Sequence, residues 1–150
     1  MSEITANDLD VEKFIKDKTA DISEAVGNDT AINALSGGVD SSTVTLLGHM
    51  ALDKKLKTYF IDNGLMRKNE PQEVVSIFSK MIDARQEFFA ALKDIDDPEK
   101  KREAITQTFY KKVFGRLVKE SGAKHLLQGT ILTDVDETVA GIKRQHNVFE

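Results

Sequence analysis

The chain has no cysteine and no tryptophan, and only two prolines and nine glycines among its 150 residues. Without cysteine there is no disulfide, no Cys-ligated zinc and no thiol nucleophile, which fits a cytoplasmic setting. No apolar run approaches the ~18 residues that a membrane span requires. The opening Met1-Ser2-Glu3-Ile4 lacks the basic-then-apolar layout of a secretory signal. So few prolines and glycines argue against low complexity, and no internal repeat is visible. A net charge of −4 gives no general pull toward nucleic acid or an anionic membrane. What is left, with 40% hydrophobic residues, is a chain of the size and composition of one domain around one core.

Apolar residues fall into a regular alternation of helical and strand-like segments. Asp8 to Val26 reads as an amphipathic helix, with Val11, Phe14, Ile15, Ile22 and Val26 largely on one face, ended by Gly27-Asn28-Asp29. Thr30 to Leu35 reads as a strand, Thr43 to Leu52 as a helix, and Leu56 to Asp62 as a second strand ended by Asn63-Gly64. Glu70-Pro71 opens a helix expected to run to Met81, with proline at a tolerated first-turn position. Lys93 to Arg102 reads as a charged linker. Glu103 to Ser121 is a long helix with Ile105, Phe109, Val113, Phe114, Leu117 and Val118 at core spacing, and His125 to Gly129 a last strand and turn. Strands separated by helices predict an α/β fold, a Rossmann-like parallel sheet with helices on both faces and right-handed crossovers. Ligands of such sheets bind beyond the carboxyl ends of the strands. Three polar turns lie there, Ser36 to Ser42, Asp62-Asn63-Gly64 and Gln128-Gly129-Thr130, and they are expected to converge on one crevice. His49 and His125, within a helix and before an apolar run, read as structural.

The first of these turns, Ser36-Gly37-Gly38-Val39-Asp40-Ser41-Ser42, is the most specific signal in the chain. The first N–H groups of a helix have no partner inside it, and the helix dipole puts partial positive charge there, so an anion is favoured. Two glycines let backbone approach a phosphate without a Cβ in the way. Ser36, Ser41 and Ser42 add hydroxyl donors. A carboxylate beside phosphate is repulsive unless Mg²⁺ bridges the two, which gives Asp40 a metal role. No lysine follows the glycines, so this is not the G-x-x-x-x-G-K-[ST] phosphate loop, nor is it G-x-G-x-x-G.

The run S-G-G-V-D-S-S resembles the pyrophosphate-binding signature of the N-type ATP pyrophosphatases. Further blocks resemble the ATP-pyrophosphatase domain of the GMP synthase family: Phe60 to Arg67, Asp97 to Arg102, Phe109 to Phe114, Gln128-Gly129-Thr130 through Asp134, and Ile142-Lys143 with His146-Asn147. All stand in family order. The resemblance implies an adenine nucleotide alpha hydrolase-like fold and an AMP-forming ATP-dependent C–N ligase of purine biosynthesis. By this resemblance ATP binds on Ser36, Gly37, Gly38, Val39, Asp40, Ser41 and Ser42. Its adenine lies against Ile61, Asp62 and Gly64 and the Gly129-Thr130 turn, and Asp40 and Asp134 hold Mg²⁺. The C2 oxygen of XMP attacks the α-phosphate, pyrophosphate leaves, and ammonia displaces AMP to give GMP. Arg67, Lys143, His146 and Asn147 are implied substrate contacts, with Asp40 and Lys143 catalytic. Arg144 follows Lys143 in the same basic stretch, and Asp136 and Glu137 make an acidic group with Asp134.

The sequence also departs from the family pattern. The whole of 1–150 reads as a single ATP-pyrophosphatase-like domain, the first part of the family's synthase portion. It is expected to lack a glutaminase domain, so a separate glutaminase subunit or free ammonia would supply nitrogen. It is also expected to lack the family's dimerisation domain, which leaves a homodimer open. A strand that the family carries before the counterpart of Ile82-Asp83-Ala84 has no room after a helix ending at Met81, so either that strand is lost or several residues are missing there. Arg144-Gln145 and Val148-Phe149-Glu150 differ from the family and bear on XMP recognition more than on ATP. Two alternatives stay open: a related ligase with another acceptor, similar to NAD synthetase or asparagine synthetase, and an ATP-binding regulatory subunit without turnover.

Overall fold

Ile32 and Ala34, Tyr59 and Ile61, and Ile82 share one parity of their strands, while Ala31, Leu35, Leu56 and Phe60 share the other. In a strand, successive side chains point to opposite faces, so each strand must be covered twice. The computed structural model, which describes residues 9–66 and 80–130, shows both covers. Its four strands, β1 (Ala31–Leu35), β2 (Leu56–Asp62), β3 (Lys80–Asp83) and β4 (His125–Leu126), form one sheet in the order β3-β2-β1-β4. All three pairings are parallel, with Ala31 opposite Leu56 and His125, and Ile61 opposite Ile82.

On one face lie α1 (Val11–Val26) and α2 (Val39–Leu52). Asp10 caps α1, its carboxylate accepting from Lys13 N at 3.0 Å. Val26, Leu52, Ala31 and Leu56 form the buried centre of this layer, with Ile22, Ala51 and Leu127 against it. On the other face lie α3 (Arg85–Leu92), α4 (Pro98–Gln107), a π-helical stretch over Thr108–Phe114, and α5 (Gly115–Ser121). Here Ile32, Ile61, Ala84, Phe88, Val113, Phe114 and Leu117 make the larger core. A two-pronged Arg116–Glu87 pair, at 3.0 and 3.2 Å, ties α5 to α3. The parallel sheet and its two helical layers are those expected. No helix among the described residues is long and apolar enough to cross a membrane.

Four elements differ from expectation. The second helix begins at Val39, not Thr43, because Val39 to Ser42 form its first turn and only Ser36-Gly37-Gly38 remain as loop. Lys80 and Met81 belong to β3 rather than to the end of a helix, so the strand for which no room was expected is present in short form, paired with Tyr59 to Asp62. The charged stretch is only partly a linker: Asp97 caps a helix at Lys100 N (2.9 Å), and Pro98 opens it. The Arg85–Leu92 helix has no counterpart in the sequence reading. With two adjacent phenylalanines and Ala90-Ala91, its apolar periodicity is weak, and only Phe88 is fully buried.

Candidate nucleotide site

At the carboxyl end of β1 the chain turns sharply. Gly37 has φ +86°, a left-handed conformation that favours glycine. Gly38 then caps α2 without any side-chain bond, which leaves the N–H groups of Val39, Asp40 and Ser41 in the helix's first turn with no carbonyl inside the helix to receive them. The first helical bond, Ser42 N to Gly38 O, is 3.0 Å.

The serines preorganise this turn. Ser41 Oγ donates to Gly38 O at 3.1 Å and accepts from Ser36 N at 3.3 Å. Ser41 thereby uses its only proton, so the 2.8 Å contact between the two hydroxyls is Ser36 donating to Ser41. Ser36 Oγ also accepts from Gly38 N at 3.3 Å. The expected hydroxyl donors of Ser36 and Ser41 are therefore engaged inside the loop.

The loop lines a cleft of about 340 Å³. Its polar side is Ser36, Gly38, Asp40 and Ser41, closed by Gln128 and Gly129. Its apolar side is Ala34, Phe109, Tyr110, Phe114, Leu126 and Leu127. Gly129 sits directly on the first turn of α2: a Cβ there would lie 3.0 Å from Asp40 C and O and 3.2 Å from Ser41 N. Two of the three expected turns thus meet. The third does not line the cleft. Ile61 is buried in the core, Asp62 accepts from Gly64 N at 2.9 Å with Arg85 Nε 3.8 Å away, and Gly64 lies against the Phe89 ring. Thr130 follows Gly129 on the surface.

The aromatic wall was missed as a site by sequence reasoning, because its residues sit at core spacing. Its signal is a local change of helical pitch. In an α-helix, residues five apart face different sides, but the π-helical stretch brings Phe109 over Phe114, stacked at 6.2 Å and 16°. Tyr110 packs edge-on against Phe109 at 4.9 Å, and burial pushes its phenol above the usual range. Of the other expected site residues, Arg67, Asp134, Lys143, His146 and Asn147 lie outside the described residues, as do Asp136, Glu137 and Arg144. Among the described residues no group of three or more metal-ligating side chains is present, and Asp40 is the carboxylate in the cleft. His49 is bonded to Thr58 and His125 lies 3.6 Å from Asp29, both away from the cleft lining, as their structural reading requires.

No family model matches the chain. Individual proteins do. It is 48% identical over 144 residues to a subunit of glutamine-hydrolyzing GMP synthase from Archaeoglobus fulgidus, covering 93% of this chain and 47% of that protein. The protein of the same name from Pyrococcus furiosus is 45% identical over 91% of this chain and 46% of its own length. That from Methanoregula boonei is 47% identical over the same shares. Among solved structures, the NH3-dependent NAD synthetase from Campylobacter jejuni, in complex with nitrate, superposes with a TM-score of 0.66 at 16% identity, covering 90% of this chain and 62% of that one. The second likeness shows a shared fold. The first bears out the family resemblance read from the Ser36–Ser42 run. Over more than nine-tenths of its length this chain is a homologue of that GMP synthase subunit, and it spans about half the length of those relatives.

Proposed function

We propose that the cleft binds ATP and that the chain carries the ATP-pyrophosphatase part of a GMP synthase reaction. The observation that carries this is the open first turn of α2, with Gly38, Asp40 and Ser41 lining a cleft that has an aromatic far wall. Phosphates suit the first and a purine suits the second. The β- and γ-phosphates lie over Gly37, Gly38 and the first turn, with the base against Phe109, Tyr110 and Phe114. This assignment puts the base on the aromatic wall rather than on Ile61, Asp62 and Gly64, which do not line the cleft.

Negative charge grows on the pyrophosphate as it leaves. Fixed N–H donors aimed at that position stabilise the transition state without reorganising, which is the largest service a site of this kind supplies. The glycine turn and the Ser36–Ser41 bonds hold those donors in place, and positioning supplies much of the rest. Asp40 fits a divalent cation: a hard ion takes one or two carboxylates and completes its shell with phosphate oxygens. Mg²⁺ bound there supplies charge neutralisation of the leaving pyrophosphate. Asp134 remains the expected second ligand. XMP is the proposed acceptor, with Arg67, Lys143, His146 and Asn147 as its expected contacts. Ammonia comes free or from a second polypeptide, since the relatives are named as one subunit of a glutamine-hydrolyzing enzyme.

The test is a product assay with Mg-ATP and ammonium, with and without XMP, following AMP, pyrophosphate and GMP by chromatography. GMP formed with AMP and pyrophosphate is the expected result. AMP and pyrophosphate without XMP dependence would keep the ATP chemistry and replace the acceptor. ATP binding without turnover would point to a regulatory role.

A further inference from the structure

Beneath the phosphate turn, four polar side chains run in a line through the layer between the sheet and α2. Asn33 of β1 and Thr45 of α2 are 2% and 0% exposed, Thr58 of β2 is 7% exposed, and His49 of α2 is half-buried. Thr58 Oγ1 donates to Asn33 Oδ1 at 2.7 Å, Asn33 Nδ2 donates to Thr45 Oγ1 at 2.6 Å, and Thr45 Oγ1 donates to Ser41 O at 2.7 Å. His49 Nε2 lies 3.0 Å from Thr58 Oγ1. A hydroxyl has one proton to give. Thr58 has given its proton to Asn33, so His49 must donate at that contact, through Nε2–H. The whole line is thus one-way: His49 to Thr58 to Asn33 to Thr45 to the Ser41 carbonyl. Ser41 is also the residue whose hydroxyl holds Ser36 N and Oγ.

We infer that this buried relay is the positioning device of the phosphate turn, setting the depth and rotation of the first turn of α2 on β1 and β2. The inference rests on the ATP reading of the cleft. Apolar contacts are non-directional and tolerate small slides, whereas hydrogen bonds weaken steeply as they bend. A valine–leucine layer would pack α2 equally well. A continuous line of bonded polar side chains, costly to leave half-made, selects one placement of the helix. The N–H groups of Val39, Asp40 and Ser41 are then aimed before any ligand arrives. Asn33, Thr45, Thr58 and His49 are positioning residues, since none of them lines the cleft.

Two measurements on the full chain test this. The first is the His49 tautomer, from two-bond ¹H–¹⁵N correlation spectra of the unsubstituted protein. Nε2–H is expected, and Nδ1–H would overturn the relay. The second compares Thr45→Val with Thr45→Ser by calorimetric titration with Mg²⁺ and either the β,γ-imido analogue of ATP or AMP. Loss of one buried hydrogen bond at the turn should weaken the triphosphate about tenfold in Thr45→Val, leave AMP within about twofold, and be restored in Thr45→Ser. Equal losses for both nucleotides, or no loss, would overturn the positioning role. Failure of the ATP reading shows separately, as an unsubstituted protein that binds neither nucleotide. In that case amide exchange decides for the relay: faster exchange at Ser42 in Thr45→Val supports it, and unchanged exchange overturns it.

Discussion

Gly38→Ala separates what the protein needs from what a phosphate needs. Gly38 has φ −76° and ψ 163°, extended backbone that alanine adopts freely. The added Cβ would meet Ser36 Oγ at 3.5 Å, an ordinary contact, with no other non-neighbouring atom within 4 Å. Alanine is the poorer helix cap by about 0.5–1 kcal/mol. It also restricts the unfolded chain, which stabilises by about 0.4–1 kcal/mol. The two offset, so the melting temperature should stay within about 2 °C for a chain of this size. The ligand side has no such offset. The methyl group enters the cleft that Gly38 lines, reaching about 1.5 Å from Cα, where a phosphate oxygen would otherwise approach the backbone to about 2.9 Å. A displacement near 1 Å in a preorganised site costs on the order of a hundredfold. Affinity for the β,γ-imido analogue of ATP with Mg²⁺, read by calorimetry, should therefore fall ten- to hundredfold at unchanged stability. Gly37→Ala gives the contrasting pattern. Its φ of +86° strains any side chain, costing roughly 1–2 kcal/mol of stability. Unchanged nucleotide affinity in a folded Gly38→Ala protein would refute the close approach of phosphate to this turn.

Gly129→Ala should perturb both fold and site, since its Cβ would stand 3.0 Å from Asp40 backbone atoms that cannot rotate away; a loss of about 1–3 kcal/mol in denaturant unfolding, with weaker binding of the ATP analogue, is expected. Phe88→Ala removes a ring that is 0% exposed at the centre of the larger core, and unfolding should shift by about 3–5 kcal/mol. The Arg85 guanidinium, donating to Asp83 at 2.9 and 2.6 Å, holds that carboxyl down at about 2, below its ordinary 3.8. Because the folded value is lowered, the pair's contribution is present above pH 3.8 and is lost as pH falls through about 2. A carbon-13 titration should place the Asp83 midpoint there, and Arg85→Gln should return it toward 3.8.

How much was legible follows from the range over which each feature is determined. β1 and β2 were placed within a residue, because buried parallel strands are short apolar runs bounded by turn residues. The first helix was legible from its periodicity and the Gly27-Asn28-Asp29 stop. β3 was not, because Lys80-Met81-Ile82-Asp83 is too short and too polar to announce itself, and its support is non-local, the ladder it shares with β2 and the packing of Ile82 against the larger core. The start of α2 was misplaced because Val39-Asp40-Ser41-Ser42 carries polar turn chemistry and helical backbone at once. Asp40 suits both, since a carboxylate in a first turn also favours the helix dipole.

The sequence by itself determined the glycine turn after β1. A glycine at positive φ, a second glycine without a Cβ and a following helix are local properties, encoded within a few residues and readable from them. It also determined the alternation that makes a parallel sheet. Tertiary structure decided what surrounds the turn. Gly129 reaches it from 89 positions away only because β4 pairs with β1. Phe109, Tyr110 and Phe114 face the cleft because a π-helical stretch re-aims them. Asn33, Thr45 and Thr58 become one relay only when β1, β2 and α2 are packed together. Short-range geometry is fixed by chain stereochemistry and can be read along the chain, whereas a site assembled from separate strands exists only once burial has brought those strands side by side.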